Sequence, residues 1–325
     1  MDIINIPNIL PPSDDGVFKT LLTHPDAEPL LKFLITSVIG LNVESVAVHN
    51  SELPVSSSLD KQERFDVNCV IDTGEQIEIE LQATPMTGDN RDNEHIIIKM
   101  RSVYYLCDLH SSQPARGVPY GDLVRSYQIT FCGYTVFGKR SDYINRFTLR
   151  NYDGDELTDA INVVFVELSK LDEALRKPVA DMTPTEMLSV FLKYADDERY
   201  QDKIKEMAAV KEEIQLANQI LTSISTDENE RARFRARSKW KHDQEHDRIM
   251  SFREGELQGE ARGEARDEAR GMVRGELQGC SKILLSLIKR GTDRKTIRAM
   301  FADISADDFN QAYALAEQMQ SGIII

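Results

Sequence analysis

The chain has 325 residues, 41% apolar and 29% charged, with a formal net charge of −15. This is the composition of a folded protein, long enough for one large domain or two ordinary ones. It contains no run apolar enough to span a bilayer, and Cys69, Cys107, Cys132 and Cys280 lack the paired spacing of a disulfide framework or zinc site. The acidic balance argues against nonspecific nucleic-acid affinity, so such a partner would need local basic patches or a metal bridging phosphates. No secretory signal heads the sequence, and a cytoplasmic location is the expectation.

In chain order, Ser13-Asp14-Asp15-Gly16 caps a short helix carrying Val17, Phe18, Leu21 and Leu22, and a second helix covers 27–39, ended by Gly40. Residues 43–50 read as a strand and 51–60 as a Ser/Pro loop. A hairpin follows, running from Arg64-Phe65-Asp66 through Asp72-Thr73-Gly74 to Glu80-Leu81-Gln82. Both arms alternate: Val67, Cys69, Ile71, Ile77, Ile79 and Leu81 share one face, and Asp66, Asn68, Glu78, Glu80 and Gln82 share the other.

Gly74 suits the left-handed third position of a three-residue loop. That register pairs Ile71 with Glu75, Asn68 with Glu78 and Asp66 with Glu80. Cross-strand carboxylates repel unless a hard cation takes their oxygens. Two readings stand: an amphipathic edge hairpin with a solvated polar face, or a cation site.

Residues 83–92 read as a polar loop, and 93–112 as a helix with Ile97, Met100, Tyr104 and Leu106 near helical spacing. After a turn-rich piece come strands at 127–137, 146–150 and 161–168, with Cys69 and Cys132 as small core residues. Mixed strands and helices mean an α/β or α+β fold around one sheet, and the strands stop near residue 170. Helices follow near 185–199 and 202–222, then a charged helical stretch to about 279 and a small helical pair over 280–318. His242 and His246 share a helix face without the zincin pattern and read as solvated. The expected division is 1–170, 171–253, 254–279 and 280–325.

Six motifs follow one another along the chain: Ser13-Asp14-Asp15-Gly16-Val17-Phe18-Lys19, the Lys61…Arg64-Phe65-Asp66 entry, Ile79-Glu80-Leu81-Gln82, Arg101-Ser102-Val103-Tyr104-Tyr105, Tyr120-Gly121-Asp122-Leu123 and Val166-Glu167-Leu168-Ser169-Lys170. In this order they resemble PD-(D/E)XK nuclease family transposases, the recombination-promoting nuclease group of bacteria, and the resemblance covers nearly all of the chain. The resemblance implies a restriction-endonuclease-like mixed sheet core flanked by helices, followed by an all-helical C-terminal region. It also implies metal-dependent cleavage of DNA phosphodiesters by Mg²⁺, with Mn²⁺ able to substitute. By position, Asp66 and Glu80 become metal ligands, with Asp15 either a third acid or a helix cap.

Gln82 stands where most such enzymes have Lys. An amide cannot stabilise a phosphorane as an ammonium can, but it can orient a water. Lysine at 82 is accordingly expected to retain or raise activity. Lys61, Arg64, Arg101 and Tyr105 are candidate substrate contacts, with salt bridges and core packing as their plainer roles. Tyr104 and Tyr105 read as core aromatics with polar tips. Gln82 also leaves open a rival reading, a DNA-binding or assembly protein that keeps the fold with a compromised site.

Residues 231–241 carry six cations with Phe234 and Trp240 interleaved, either a DNA contact or a charged surface helix. Residues 255–279 repeat every four, with Gly at 255, 259, 263, 271, 275 and 279, a Glu stripe and an Arg stripe. All i, i+4 charge pairs are then alike, and each Gly costs about 1 kcal/mol against Ala. The repeat is either a semi-flexible spacer or a helix that pairs with another chain, making a homo-oligomer.

Overall fold

The computed structural model describes residues 9–49, 67–84, 91–113 and 119–322. The chain divides into two compact units, Met1–Arg237 and Ser238–Ile325.

The first unit is built on a mixed six-stranded sheet of order β1-β2-β3-β4-β6-β5. Its strands are β1 (Val46–Val48), β2 (Val67–Ile71), β3 (Gln76–Gln82), β4 (Ser126–Cys132), β5 (Ile144–Arg150) and β6 (Glu156–Glu167). The β3–β4 and β4–β6 pairs are parallel, and the other pairs are antiparallel. This is the expected mixed sheet flanked by helices.

The hairpin has the expected register, with Asn68 opposite Glu78 and Cys69 opposite Ile77. Gly74 sits at φ 94° and donates to the Ile71 carbonyl at 2.8 Å, while Ile71 N–H donates to Glu75 at 3.2 Å. Only a left-handed residue closes this three-residue loop, which is why glycine is there.

The two faces of the sheet are covered differently. Val67, Cys69, Ile77, Ile79, Ile129, Phe131, Val164 and Val166 face a large core shared with helices α1 (Asp15–Leu22), α2 (Glu28–Ile39), α5 (Pro184–Tyr194) and α7 (Glu212–Thr226). Burial pushes the Cys69 thiol up to about 12, as befits a small core residue. Residue 170, where strands give way to helices, lies inside this unit, and Leu171 through Ile224 contribute to the same core. Helix α3 (Arg91–Ser111) covers the opposite face, touching β3, β4 and β6.

This second face is the polar one, and it is buried. Glu78 and Glu80 are 7% and 5% exposed, and Ser126, Gln128 and Thr130 are fully buried. The solvated-face reading of the hairpin is thereby corrected: β3 is an interior strand, not an edge. The helix reading changes with it. Ile98, Ser102 and Leu106 face the sheet, whereas Ile97, Met100 and Tyr104 are exposed. A helix lying on polar strands carries a serine in its buried stripe, and Ser102 Oγ lies 3.3 Å from Thr130 Oγ1. Of the four residues the apolar spacing picked out, only Leu106 lies on the buried face.

Other boundaries move for local reasons. The 127–137 strand ends at Cys132, because Val136 and Phe137 N–H donate to the Glu167 carboxylate rather than to a neighbouring strand. The expected strand at 43–50 shrinks to β1. The expected 202–222 helix divides into α6 (Gln201–Val210) and α7 at Lys211, which is extended at φ −135°, ψ 109°. Helix α5 opens on a capping box between Thr183 and Glu186.

Helix α8 (Glu228–Lys289) is continuous over 62 residues and enters the second unit. The second unit has its own small core: Leu284, Ile297, Phe309, Ala312, Tyr313 and Ala316 bring the end of α8 together with α9 (Arg294–Met300) and α10 (Ala306–Gln320). No helix among the described residues is long and apolar enough to cross a membrane.

Candidate active site at the end of the third strand

The C-terminal end of β3 gathers side chains from three elements. Alternation along β3 turns Glu78, Glu80 and Gln82 toward α3, one every second residue. Helix α3 supplies Arg101, whose side chain is 20% exposed. Its Nη2 forms an ion pair with Glu80 Oε1 and donates to Gln82 Oε1 at 2.7 Å. The other end of the Gln82 amide, Nε2, donates to the Thr84 carbonyl at 2.9 Å. Arg101 also lies over the Tyr105 ring, with Cζ 5.9 Å from the centroid.

Helix α1 supplies Asp15. Its Oδ1 accepts from Ala83 N–H at 3.4 Å, which brings this carboxylate to the residue after Gln82. The capping role falls to Asp14, which accepts from Gly16 and Val17 N–H. Asp15 is thus not needed as the helix cap. Gly133 holds the next strand close: it donates to the Gln82 carbonyl at 2.9 Å, and a Cβ there would collide with the Ala83 backbone. Any side chain at 133 would push the end of β4 away from the site.

Glu80 is the chemically distinctive group. Its Oε1 is held by Arg101, whereas Oε2 is buried with no hydrogen-bond partner among the described residues. Buried carboxylate oxygens without donors are uncommon and costly. Beside it two neutral amides flank Glu78, Asn68 on β2 and Gln128 on β4, and Asn68 Oδ1 and both polar side-chain atoms of Gln128 likewise lack partners among the described residues.

Of the residues expected at the site, Asp15, Glu80, Gln82, Arg101 and Tyr105 converge here, while Lys61, Arg64 and Asp66 lie outside the described residues. Tyr104 is 69% exposed rather than core. Gln128 is a site neighbour that sequence reading missed. It looked like one polar residue in an apolar strand, and its alternation with Ile129 and Phe131 was the available signal.

A family model described as PD-(D/E)XK nuclease family transposase matches residues 12–248, most of the chain and every described residue of this site. The chain belongs to that family. No curated protein and no solved structure matches it.

Nucleases of the PD-(D/E)XK superfamily typically use divalent metals. The donor set fits a hard cation, because the available atoms are carboxylate and amide oxygens and one carboxylate oxygen is buried without a donor among the described residues. The described residues alone bring together no three His, Cys, Asp or Glu side chains for the purpose.

The basic segment at the start of α8 is partly committed to the fold. Phe234 packs on the main core, and Arg233 pairs with Glu230 at 2.6 Å. Arg237 Nη2 lies 3.9 Å from Asp14 Oδ1, against Gly16, where any Cβ would strike the guanidinium.

Proposed function

We propose that this protein is a divalent-cation-dependent DNA endonuclease that hydrolyses phosphodiester bonds, with Mg²⁺ as its usual ion and Mn²⁺ able to substitute. Its setting is cytoplasmic, in recombination linked to mobile elements or in defence, and it works as a homo-oligomer assembled through its C-terminal helices. The observation that carries the reading is Glu80: a buried carboxylate with an oxygen that has no partner among the described residues, at the end of an interior strand, beside Gln82, Arg101 and Asp15.

Glu80 and Asp66 would hold the cation, with Asp15 as a third acid. The described ladder, with Asn68 opposite Glu78, has the register on which the Asp66–Glu80 pairing rests. A bound divalent ion lowers the pKa of water and polarises the phosphoryl oxygen. Gln82 orients the attacking water through its amide. Arg101 brings to the site the positive charge that Gln82 lacks, and its guanidinium fork suits phosphate oxygens. Lys61, Arg64 and Tyr105 complete the DNA contact.

Supercoiled plasmid incubated with the protein and Mg²⁺, Mn²⁺ or EDTA tests this. Nicking or linearisation with either ion, abolished by EDTA and by Glu80→Gln, is the expected result. A second reading has its own observation: Arg101 pairs directly with Glu80, and Gln82 is neutral. A protein that binds DNA but leaves it intact with both ions would establish that non-cleaving alternative.

A further inference from the structure

Residues 254–279 of α8 lie in the second unit, and every side chain in the segment is exposed except Leu277, which leans on the tail core. The four-residue period sorts them into four ridges. Leu257, Ala261, Ala265, Ala269, Val273 and Leu277 form an apolar ridge. With about 100° between successive residues, the Glu ridge (256, 260, 264, 268) lies on one flank, the Arg ridge (262, 266, 270, 274) on the other, and glycine opposite.

Glu and Arg are separated by two residues or by two plus a multiple of four, so neither i, i+3 nor i, i+4 pairs join them. The structure agrees. Ion pairs occur earlier in α8, at Arg233 and Arg237, but none is formed within 254–279 among the described residues. The helix thus carries two charge ridges that it does not neutralise itself, bordering an apolar ridge that nothing in the described chain covers.

We propose that this segment docks on the same segment of a second copy, in parallel and in register. Symmetry decides the direction. A two-fold axis along the helices sets the left flank of one against the right flank of the other, so the Glu ridge meets the partner's Arg ridge on both sides of the apolar seam. An antiparallel two-fold sets like flank against like flank, Glu against Glu and Arg against Arg, which is repulsive. Alanine at the centre of the ridge allows close approach, and meshing of two i±4 ridges gives a crossing near −50°. The contact is isologous and closes as a dimer.

The full chain is tested in three forms by analytical ultracentrifugation at micromolar concentration: unmodified, Glu256/Glu260/Glu264/Glu268→Arg, and Arg262/Arg266/Arg270/Arg274→Glu. The expected result is a dimer for the first, monomers for each variant alone and a dimer for their equimolar mixture. Direction is read in a Cys107→Ser, Cys280→Ala background. Ala261→Cys should form a disulfide-linked dimer with itself under mild oxidation, whereas in an antiparallel pair centred on Ala265 it would couple only to Ala269→Cys. A monomeric unmodified chain, variants that still dimerise alone, or coupling only between positions 261 and 269 would overturn the proposal. The readouts are independent of cleavage, so they do not stand or fall with the nuclease assignment.

Discussion

Two buried glutamates sit at the C-terminal ends of strands in the same sheet, and their surroundings differ completely. Glu167, closing β6, is fully buried and saturated with donors: Val136 N–H at 2.6 Å, Phe137 N–H at 3.0 Å, Asn145 Nδ2 at 2.9 Å and Lys170 Nζ at 2.7 Å. Glu80, near the end of β3, has among the described residues one guanidinium and an oxygen with no donor. A carboxylate satisfied on every side fixes the fold, here by tying the turn after β4 to β6. A carboxylate buried at similar depth but left short of donors among the described residues has coordination capacity that those residues do not fill. The comparison separates a structural acid from a candidate ligand without reference to sequence motifs.

The largest expected effect is on cleavage. Glu80→Gln keeps shape but removes a charged ligand, and should lower plasmid cleavage about 1000-fold, since a catalytic cation supplies several kcal/mol. Its melting temperature should move little. Glu167→Ala should do the reverse. It strands Lys170 and three further donors, so chemical denaturation should show a loss of about 3–5 kcal/mol. If the two variants behaved alike, the distinction between the acids would fail.

Arg101→Ala comes next, with cleavage reduced about 100-fold by loss of a donor to the developing phosphorane. Here the structure also revises the sequence expectation for Gln82→Lys. The Gln82 Oε1 accepts from Arg101 at 2.7 Å, so an ammonium there would face a guanidinium. The single variant should be less active than the unmodified chain, and Gln82→Lys with Arg101→Gln should recover activity relative to it. Single-turnover rates for the two variants check this.

The smallest effect is away from the site. Burial alone would raise the Glu186 pKa, but hydrogen bonds from Lys177 Nζ and Thr183 N–H hold it below the usual carboxylate value. A depressed folded-state pKa contributes stability that is present above the unfolded value of about 4.3 and lost as pH falls through the folded one. Glu186→Gln should therefore cost about 1 kcal/mol at neutral pH, with the gap closing below about pH 4. Urea melts of both proteins across that range measure it.

Much of this was legible in the sequence. Strict alternation in β2 and β3, with Gly74 at the loop, gave the hairpin register, because a slip of one residue would turn Ile77 and Ile79 onto the polar face. What alternation could not show was that the polar face is interior. That depends on α3 crossing it, and α3 hides the fact by burying Ile98, Ser102 and Leu106 while exposing Ile97, Met100 and Tyr104. The Arg101–Glu80 contact was equally hidden, because it joins residues on different elements. The end of β4 was misread because Cys132 and Val136 are both apolar, and only the Glu167 carboxylate reveals that the intervening chain turns. The four-residue repeat was legible as chemistry: its Glu and Arg stripes are spaced so that no i, i+3 or i, i+4 pair joins them, and Asp267, outside both stripes, stands three residues from an arginine, Arg270.

The most direct test of the central claim is calorimetric titration of Mn²⁺ into the unmodified chain, Glu80→Gln and Glu75→Gln. Glu75 is a fitting control, buried at the other end of the same hairpin arm and paired with Arg125 at 2.8 Å. Saturable binding to the unmodified chain and Glu75→Gln, lost in Glu80→Gln, is the expected result. Equal binding in all three, or none in any, would contradict the assignment of Glu80 as a metal ligand.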